Sequence, residues 1–221
     1  MSRVNSLIID ILEHLHYNSP NEGVIMSRKE EILTTARRLF NESNTQAVTT
    51  NHIAKEMGIS PGNLHYHYKN REEIIRILYA KMREEMTLSI EELPQTLEAL
   101  SEHQKVLIGI QYDYRFFFRE ILFLFSRDPA LKKQYIADNI AHRSRIKVSM
   151  EIFIENGELE INDNALLEYL VDAILMSWQF YTSYMQTLGK ALSRESAEEA
   201  VQYTRNAMIP FHKKRSANAS A

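Results

Sequence analysis

Five side chains able to contact nucleic acid lie close together between positions 63 and 69: Asn63, His65, Tyr66, His67 and Lys69. Amide, imidazole, phenol and ammonium groups are the types that bond to base edges and phosphate oxygens in a major groove. The element that must carry them starts at Ser60, a good N-cap, with Pro61 at the first helical position. In the helix expected over residues 61–68, only Leu64 in the first turn is plainly apolar. So thin an apolar stripe means that the helix is not there for packing alone. Just upstream, residues 51–57 read as another short helix, with Ile53, Ala54 and Met57 facing inward. Gly58 follows, where the chain can turn through positive φ at little cost, and Ile59 then plugs the core. Two short helices joined by a tight turn, the second one polar, follow the logic of a helix-turn-helix.

The flanking segments supply the rest of a compact head. Ser27 and Glu30 form a capping box that starts a helix at Arg28, with Ile32, Leu33, Ala36, Leu39 and Phe40 on one face. Asn70 and Glu73 make a similar start before IIRILYAKM. Residues 26 to about 90 therefore give three head helices and a fourth leading away. The stretches ILTTARRLFNES and TTNHIAKEMGISPGNLHYHYKNREEII, at their spacing, resemble the tetracycline-repressor (TetR) family of bacterial regulators. That resemblance covers about sixty residues at high specificity, where a bare helix-turn-helix would be a weak signal. The stretch YRFFFRE through LFSRDPAL also looks like the ligand-domain pattern of one branch of the family, less specifically.

The family implies a homodimer on a palindromic operator, with a four-helix bundle built by the last two long helices across a two-fold axis. Base-facing positions of the family fall on Asn51, Gly62, Asn63 and His65, and phosphate-facing ones on Thr50, Tyr66, His67, Lys69 and Arg71. Two positions depart from the pattern: His65 stands where Tyr is usual and Arg71 where Lys is usual. Each still offers a donor, so the preferred bases are affected rather than binding itself. Taken singly, Thr50 also reads as a cap, and His67 and Tyr66 as packing residues; their clustering on one short helix favours DNA.

Beyond the head, punctuation marks five more helices. Pro94 restarts a helix to about 112, residues 114–126 form a dense apolar one, and Asp128-Pro129 open a long one to about 155 that Asn156-Gly157 ends. Asn162 or Asp163 opens the next, to about 188, where Gly189 closes it, and Ser193 starts the last, to about 211. The expected architecture is all-α: a helix-turn-helix domain over 26–72, a helical regulatory and dimerisation domain over 73–212 and a polar tail over 213–221. In the last helix, Ala197, Ala200, Val201, Thr204, Met208 and Phe211 form a stripe suited either to a partner or to the subunit's own core. Residues 1–25 carry an amphipathic pattern on Val4, Leu7, Ile8, Ile11, Leu12 and Leu15. They read either as sequence upstream of a true start at Met26 or as an extra helix.

An aromatic load runs from Tyr112 to Phe125, and Trp178, Phe180, Tyr181 and Tyr184 lie on the helix from 162, with Met176 and Met185 beside them. It predicts an apolar cavity near Phe116, Trp178 and Tyr181 for a hydrophobic small-molecule effector, with Arg115 or Arg119 facing an anionic end. The same arginines also read as surface ion pairs with Asp113 or Glu120.

Composition agrees. The 221-residue chain has only 6 glycines and 5 prolines, which suits long unbroken helices, and no cysteine, which excludes disulfides and thiolate metal sites and fits a cytoplasmic protein. No apolar run is long enough to span a membrane. The net charge is −3, but residues 26–71 hold seven Lys and Arg against four Glu while the remainder is acidic. A basic head in an acidic chain is the footprint that DNA steering needs. No cofactor or metal is expected: His65 and His67, two apart, diverge on a helix, as do His14 and His16. No HExxH, Walker loop, GxSxG or paired-carboxylate pattern appears, so no catalytic residue is assigned. The function expected is a ligand-responsive repressor. The alternatives are an effector-independent global regulator and, from another class, a helical enzyme with a DNA-binding head.

Overall fold

The computed structural model describes residues 26–190 and 193–213, with side chains left out at 194–198, 200 and 204. The amphipathic pattern of residues 1–25, the polar tail beyond 213, and Ala197, Ala200 and Thr204 of the predicted stripe therefore lie outside the described residues or side chains.

The described residues form nine α-helices: α1 Arg28–Glu42, α2 Thr50–Glu56, α3 Pro61–His67, α4 Arg71–Met86, α5 Leu97–Asp113, α6 Arg115–Arg127, α7 Pro129–Glu155, α8 Asn164–Thr187 and α9 Arg194–Met208. Short 3-10 turns sit at Ile90–Glu92 and Ile209–Phe211. Among the described residues the one β contact is an isolated bridge, Leu159 with His212. The helix starts follow from local chemistry. The side chains of Ser27, Thr49, Ser60, Asn70 and Asp163 each accept a backbone N–H of the first turn, satisfying donors that the helix cannot. Gly58, Gly157 and Gly189, at φ of 64°, 71° and 66°, end α2, α7 and α8 in the left-handed region that other residues avoid.

The helices divide into two compact units. Of the described residues, the first holds 26–87 together with Gly109–Tyr135, so α6 packs with the head helices. Its core takes Ile32, Ala36 and Phe40 from α1, Ile53 and Ala54 from α2, Leu64 from α3 and Ile74 from α4, all fully buried. Phe116 and Phe117 of α6 close it, with Phe116 against Phe40 at 5.3 Å between ring centroids and Phe117 stacked on Tyr79 at 5.0 Å. Most of the aromatic load of α6 is therefore spent on the core of this unit.

The second unit holds Leu88–Ile108 and the described residues from Ile136 to Lys213. Its core joins Met150 and Phe153 of α7, Leu167, Leu170 and Val171 of α8, and Met208, with Leu159 and Ile161 between. Val201 and Met208 are buried and Phe211 packs on this core, so the described members of the α9 stripe seal their own subunit. Across α7 and α8, Arg143 bonds Asp172 at 2.6 Å and Glu168 at 2.7 Å, and Lys147 bonds Glu168 at 2.6 Å.

Candidate nucleic-acid interface

α3 is anchored by few atoms and offers many. Leu64 is fully buried beneath it, and the C-capping Tyr68 is 3% exposed, its hydroxyl donating to the Lys29 carbonyl at 3.2 Å. Burial and then the charges of Glu30 and Glu73 raise the pKa of that hydroxyl, so it stays a donor. Ser60 Oγ accepts the Asn63 amide at 3.2 Å, which fixes the first turn. Downstream, the Asn70 side chain accepts the Glu73 amide at 2.8 Å, while Glu73 reaches back to the Lys69 amide at 2.6 Å. The sequence led us to expect a box closing on Asn70; the carboxylate closes one residue earlier and so pins the α3–α4 junction.

The outward residues form one polar surface. Asn51 on α2, and Gly62, Asn63, His65, Tyr66 and Lys69 on and after α3, are exposed; Thr50 and His67 are half-buried. Tyr66 is 86% exposed, which is extreme for an aromatic side chain, and its ring meets the His67 ring edge-on at 5.1 Å. A β-carbon built on Gly62 would meet only Ser60 Oγ, at 3.9 Å. Nothing within the fold requires a glycine there.

Arg71 is used differently from its neighbours. Its guanidinium donates to the Thr45 carbonyl at 2.6 Å and pairs with Glu72 at 3.0 Å. Thr45 is fully buried and is held from its other side by Glu120, which accepts the Thr45 amide at 3.0 Å and its hydroxyl at 2.6 Å. Arg119 donates to the carbonyls of Phe40 at 2.9 Å and Ser43 at 2.7 Å, closing the C-terminus of α1 as a cation does best. Asn41 adds a two-way contact with the α5–α6 junction, donating to the Asp113 carbonyl and accepting the Phe116 amide. This clamp fixes the 43–49 loop that leads into α2. Sequence reading missed it; the signal was an Arg-Glu pair inside the dense apolar run of α6. Arg119 and Glu120 do pair, at 3.1 Å.

The residues predicted for an effector fall in different settings. Phe116 is fully buried in the first unit, and Arg115 there lies over the Tyr112 ring at 4.4 Å. Trp178 and Tyr181 belong to the second unit, Trp178 packed on Ile108 and Val201 and Tyr181 on Met185. Of the two methionines expected as walls of the cavity, Met185 is buried but Met176 faces outward at 60% exposure, as do Phe180 and Tyr184 of the same aromatic load at 41% and 50%. The reason is helical spacing: residues four apart share a face, here opposite to buried Leu175, Gln179 and Thr182. Among the described residues no cluster of His, Cys, Asp and Glu could hold a metal ion, and no helix is long and apolar enough to cross a membrane.

Comparison with known proteins places this geometry. Residues 32–77 match the family model for bacterial regulatory proteins of the tetR family, and residues 78–219 match the model described as bacterial transcriptional repressor. QacR, an HTH-type transcriptional regulator of Staphylococcus aureus, is 39% identical over 64 residues, 27% of this chain and 34% of QacR. The chain spans between 34% and 56% of the length of the curated relatives it matches. A TetR-family regulator from Marinobacter aquaeolei superposes with a TM-score of 0.78 at 22% identity, over 86% of this chain and 93% of that one. SmeT, solved as its triclosan complex, superposes at 0.53 and 14% identity, over 87% and 98%. With the two family models matched one after the other along the chain, it belongs to the TetR family and is a DNA-binding transcriptional regulator.

Proposed function

We propose that the protein is a homodimeric repressor that binds a palindromic operator through α2 and α3 and releases it when a small hydrophobic molecule binds the second unit. The observation that carries the DNA-reading part is the surface of α3: one buried apolar anchor, and Asn63, His65, Tyr66 and Lys69 all exposed around it. Asn51, Gly62, Asn63 and His65 face bases, and Thr50, Tyr66, His67 and Lys69 face phosphates. Gly62 supports this reading because the fold leaves its side-chain position empty, as a close approach of the DNA would require. Arg71 contributes through the Thr45 clamp, with phosphate contact its second role.

Dimerisation is supported by α8. Tyr169, Met176, Phe180 and Tyr184 make an exposed apolar stripe along more than four turns, and Tyr203 of α9 is 58% exposed. Contiguous apolar exposure of this kind marks an interface. Two recognition helices about 34–36 Å apart then fit successive turns of one DNA face.

The effector reading rests on Trp178 and Tyr181. Tyr181 is 6% exposed, and among the described residues its hydroxyl makes no hydrogen bond of normal geometry, although the Glu199 carboxylate is close enough to act on it. Burial pushes that hydroxyl up to about 12. A buried, unsatisfied phenol beside a half-buried indole is a group that a bound molecule would complete. SmeT, of the same fold, was solved with triclosan, a hydrophobic phenol. Release would be a population shift: a hundredfold loss of operator affinity needs an effector that prefers the released state by about 2.7 kcal/mol. The test is to titrate hydrophobic phenols against the protein–operator complex while following Trp178 fluorescence. Operator release that tracks the fluorescence change, and fails in Tyr181→Phe, supports the reading. Release that never tracks it, or survives Trp178→Ala, rejects this site.

A further inference from the structure

We propose that the effector carries an acidic group, and that His103, His142 and Arg145 bind it in a polar layer of the second unit beside Trp178. This rests on the proposed effector site and names the chemical class of its ligand.

The layer follows from helix register. Leu100 of α5, Ile146 of α7 and Ile174 of α8 pack against one apolar core. One turn farther from that core on each helix stand His103 and Gln104, His142, and Trp178. Two contacts join the three helices at this level: Gln179 donates to Asn139 of α7, and Trp178 packs on Ile108 of α5. Asn139 lies one turn from His142 and so shares its face. Gln104 and Gln179 are each 9% exposed, and both imidazoles are half-buried. The interior is therefore polar here, where polar groups leave water only for a partner.

The charges at this level are all of one kind. Arg145, half-buried, makes no ion pair among the described residues, although Arg143 and Lys147 on the same helix each do. The charges that act on the His142 ring are Arg145 and His103, both basic groups. Glu168 and Asp172 of α8 are held by Arg143 and Lys147, Glu102 of α5 pairs with Lys105, and Glu199 of α9 acts on Tyr181. Asp138 of α7 acts on neither imidazole. Burial and then the two basic neighbours lower His142 to about 4, and burial lowers His103, so both rings are neutral near pH 7. Three basic groups without a carboxylate among them make a site for an anion. A carboxylate there meets the charge of Arg145 and draws a proton onto an imidazole. Trp178, with Tyr181 one turn on, faces the apolar remainder of the molecule. The anionic partner that the sequence assigned to Arg115 or Arg119 is thus found elsewhere, since both of those are engaged in the first unit.

The test uses the full chain and two matched pairs of probes, octanoate with octanamide and 2-naphthoate with 2-naphthamide. Affinity is read from Trp178, the one tryptophan of the chain, between about pH 8 and 5.5, where the acids stay ionised. Calorimetry in two buffers of different ionisation enthalpy counts the protons taken up. Each proton taken up on binding steepens affinity by roughly tenfold per pH unit. At least one carboxylate should bind wild type roughly tenfold more tightly than its amide at the acidic end, about one charged contact's worth. It should tighten as pH falls and take up close to one proton, while its amide does neither. The pH dependence should vanish in the double variant His103→Gln/His142→Gln, and Arg145→Gln should weaken the carboxylate but not the amide. The wild-type proton count decides the matter should the double variant not fold. The inference is overturned if both acids bind no more tightly than their amides, if no proton is taken up, or if uptake persists in the double variant. An amide that releases the operator under those results leaves the effector reading standing. A carboxylate that binds with proton uptake but leaves the operator bound sustains the acid site and defeats the effector reading.

Discussion

Glu120→Ala is the substitution whose cost can be worked out most fully. Glu120 is 9% exposed at its side chain and accepts both the amide and the hydroxyl of Thr45, which is fully buried. Removing the carboxylate strands two buried donors, each costing about 1–3 kcal/mol when left unsatisfied. It also leaves Arg119, 20% exposed, without its carboxylate, although the guanidinium keeps the α1 carbonyls. A total of about 3 kcal/mol follows, and for a chain of this size each kcal/mol lowers Tm by roughly 2–4 °C. Thermal unfolding followed by circular dichroism should therefore show a fall of roughly 6–12 °C. Glu120→Gln keeps one acceptor and should recover about half of the loss. Because the 43–49 loop leads into α2, operator affinity should fall with stability in both variants. A Tm change below about 2 °C, or a glutamine variant no better than alanine, refutes the clamp.

Three further outcomes follow. Gly62→Ala places a methyl where the fold has room, so it should stabilise the protein by about 0.5–1 kcal/mol in a helix while weakening operator binding; equal or tighter binding would show that DNA does not approach this position. Burial, then Arg145 and His103, lowers the pKa of His142 from 6.5 to about 4. The unfolded chain takes up a proton near 6.5 that the folded chain refuses, so stability should fall on acidification between about 6.5 and 4. His142→Phe should flatten that dependence in denaturant titrations read across pH, and an unchanged slope would contradict it. Phe180→Asp, on the exposed stripe of α8, should halve the sedimentation mass at micromolar concentration without lowering helicity, whereas a wild type that is itself monomeric there rules the stripe out as the interface.

Helix punctuation was legible because it is local. Ser27, Ser60, Asn70 and Asp163 cap through their own side chains, and Gly58, Gly157 and Gly189 supply left-handed residues that few others tolerate. α3 was legible for the same reason, since seven residues with one apolar position leave little choice of which face is buried. Contacts distant in sequence were not legible. Nothing near Thr45 announces that Glu120, 75 residues on, will hold it, or that Arg71 will turn inward to its carbonyl. The aromatic load misled because composition counts side chains but not directions. Phe116 and Phe117 went to the core of the first unit, while Phe180 and Tyr184 turned to solvent on α8. Direction is set by position on the helix, which the spacing of 176, 180 and 184 already encoded.

The most direct test of α3 as the DNA-reading element is selection of random duplex DNA by the purified protein, followed by binding to the selected site across salt concentrations, in wild type and Lys69→Ala. The expected product is an inverted repeat whose half-site centres lie about 34–36 Å apart or a multiple of it. Affinity should fall steeply with salt, and Lys69→Ala should make the slope shallower by about one while leaving the selected sequence unchanged. Failure to enrich any sequence, or a salt slope identical in the two proteins, would contradict the assignment.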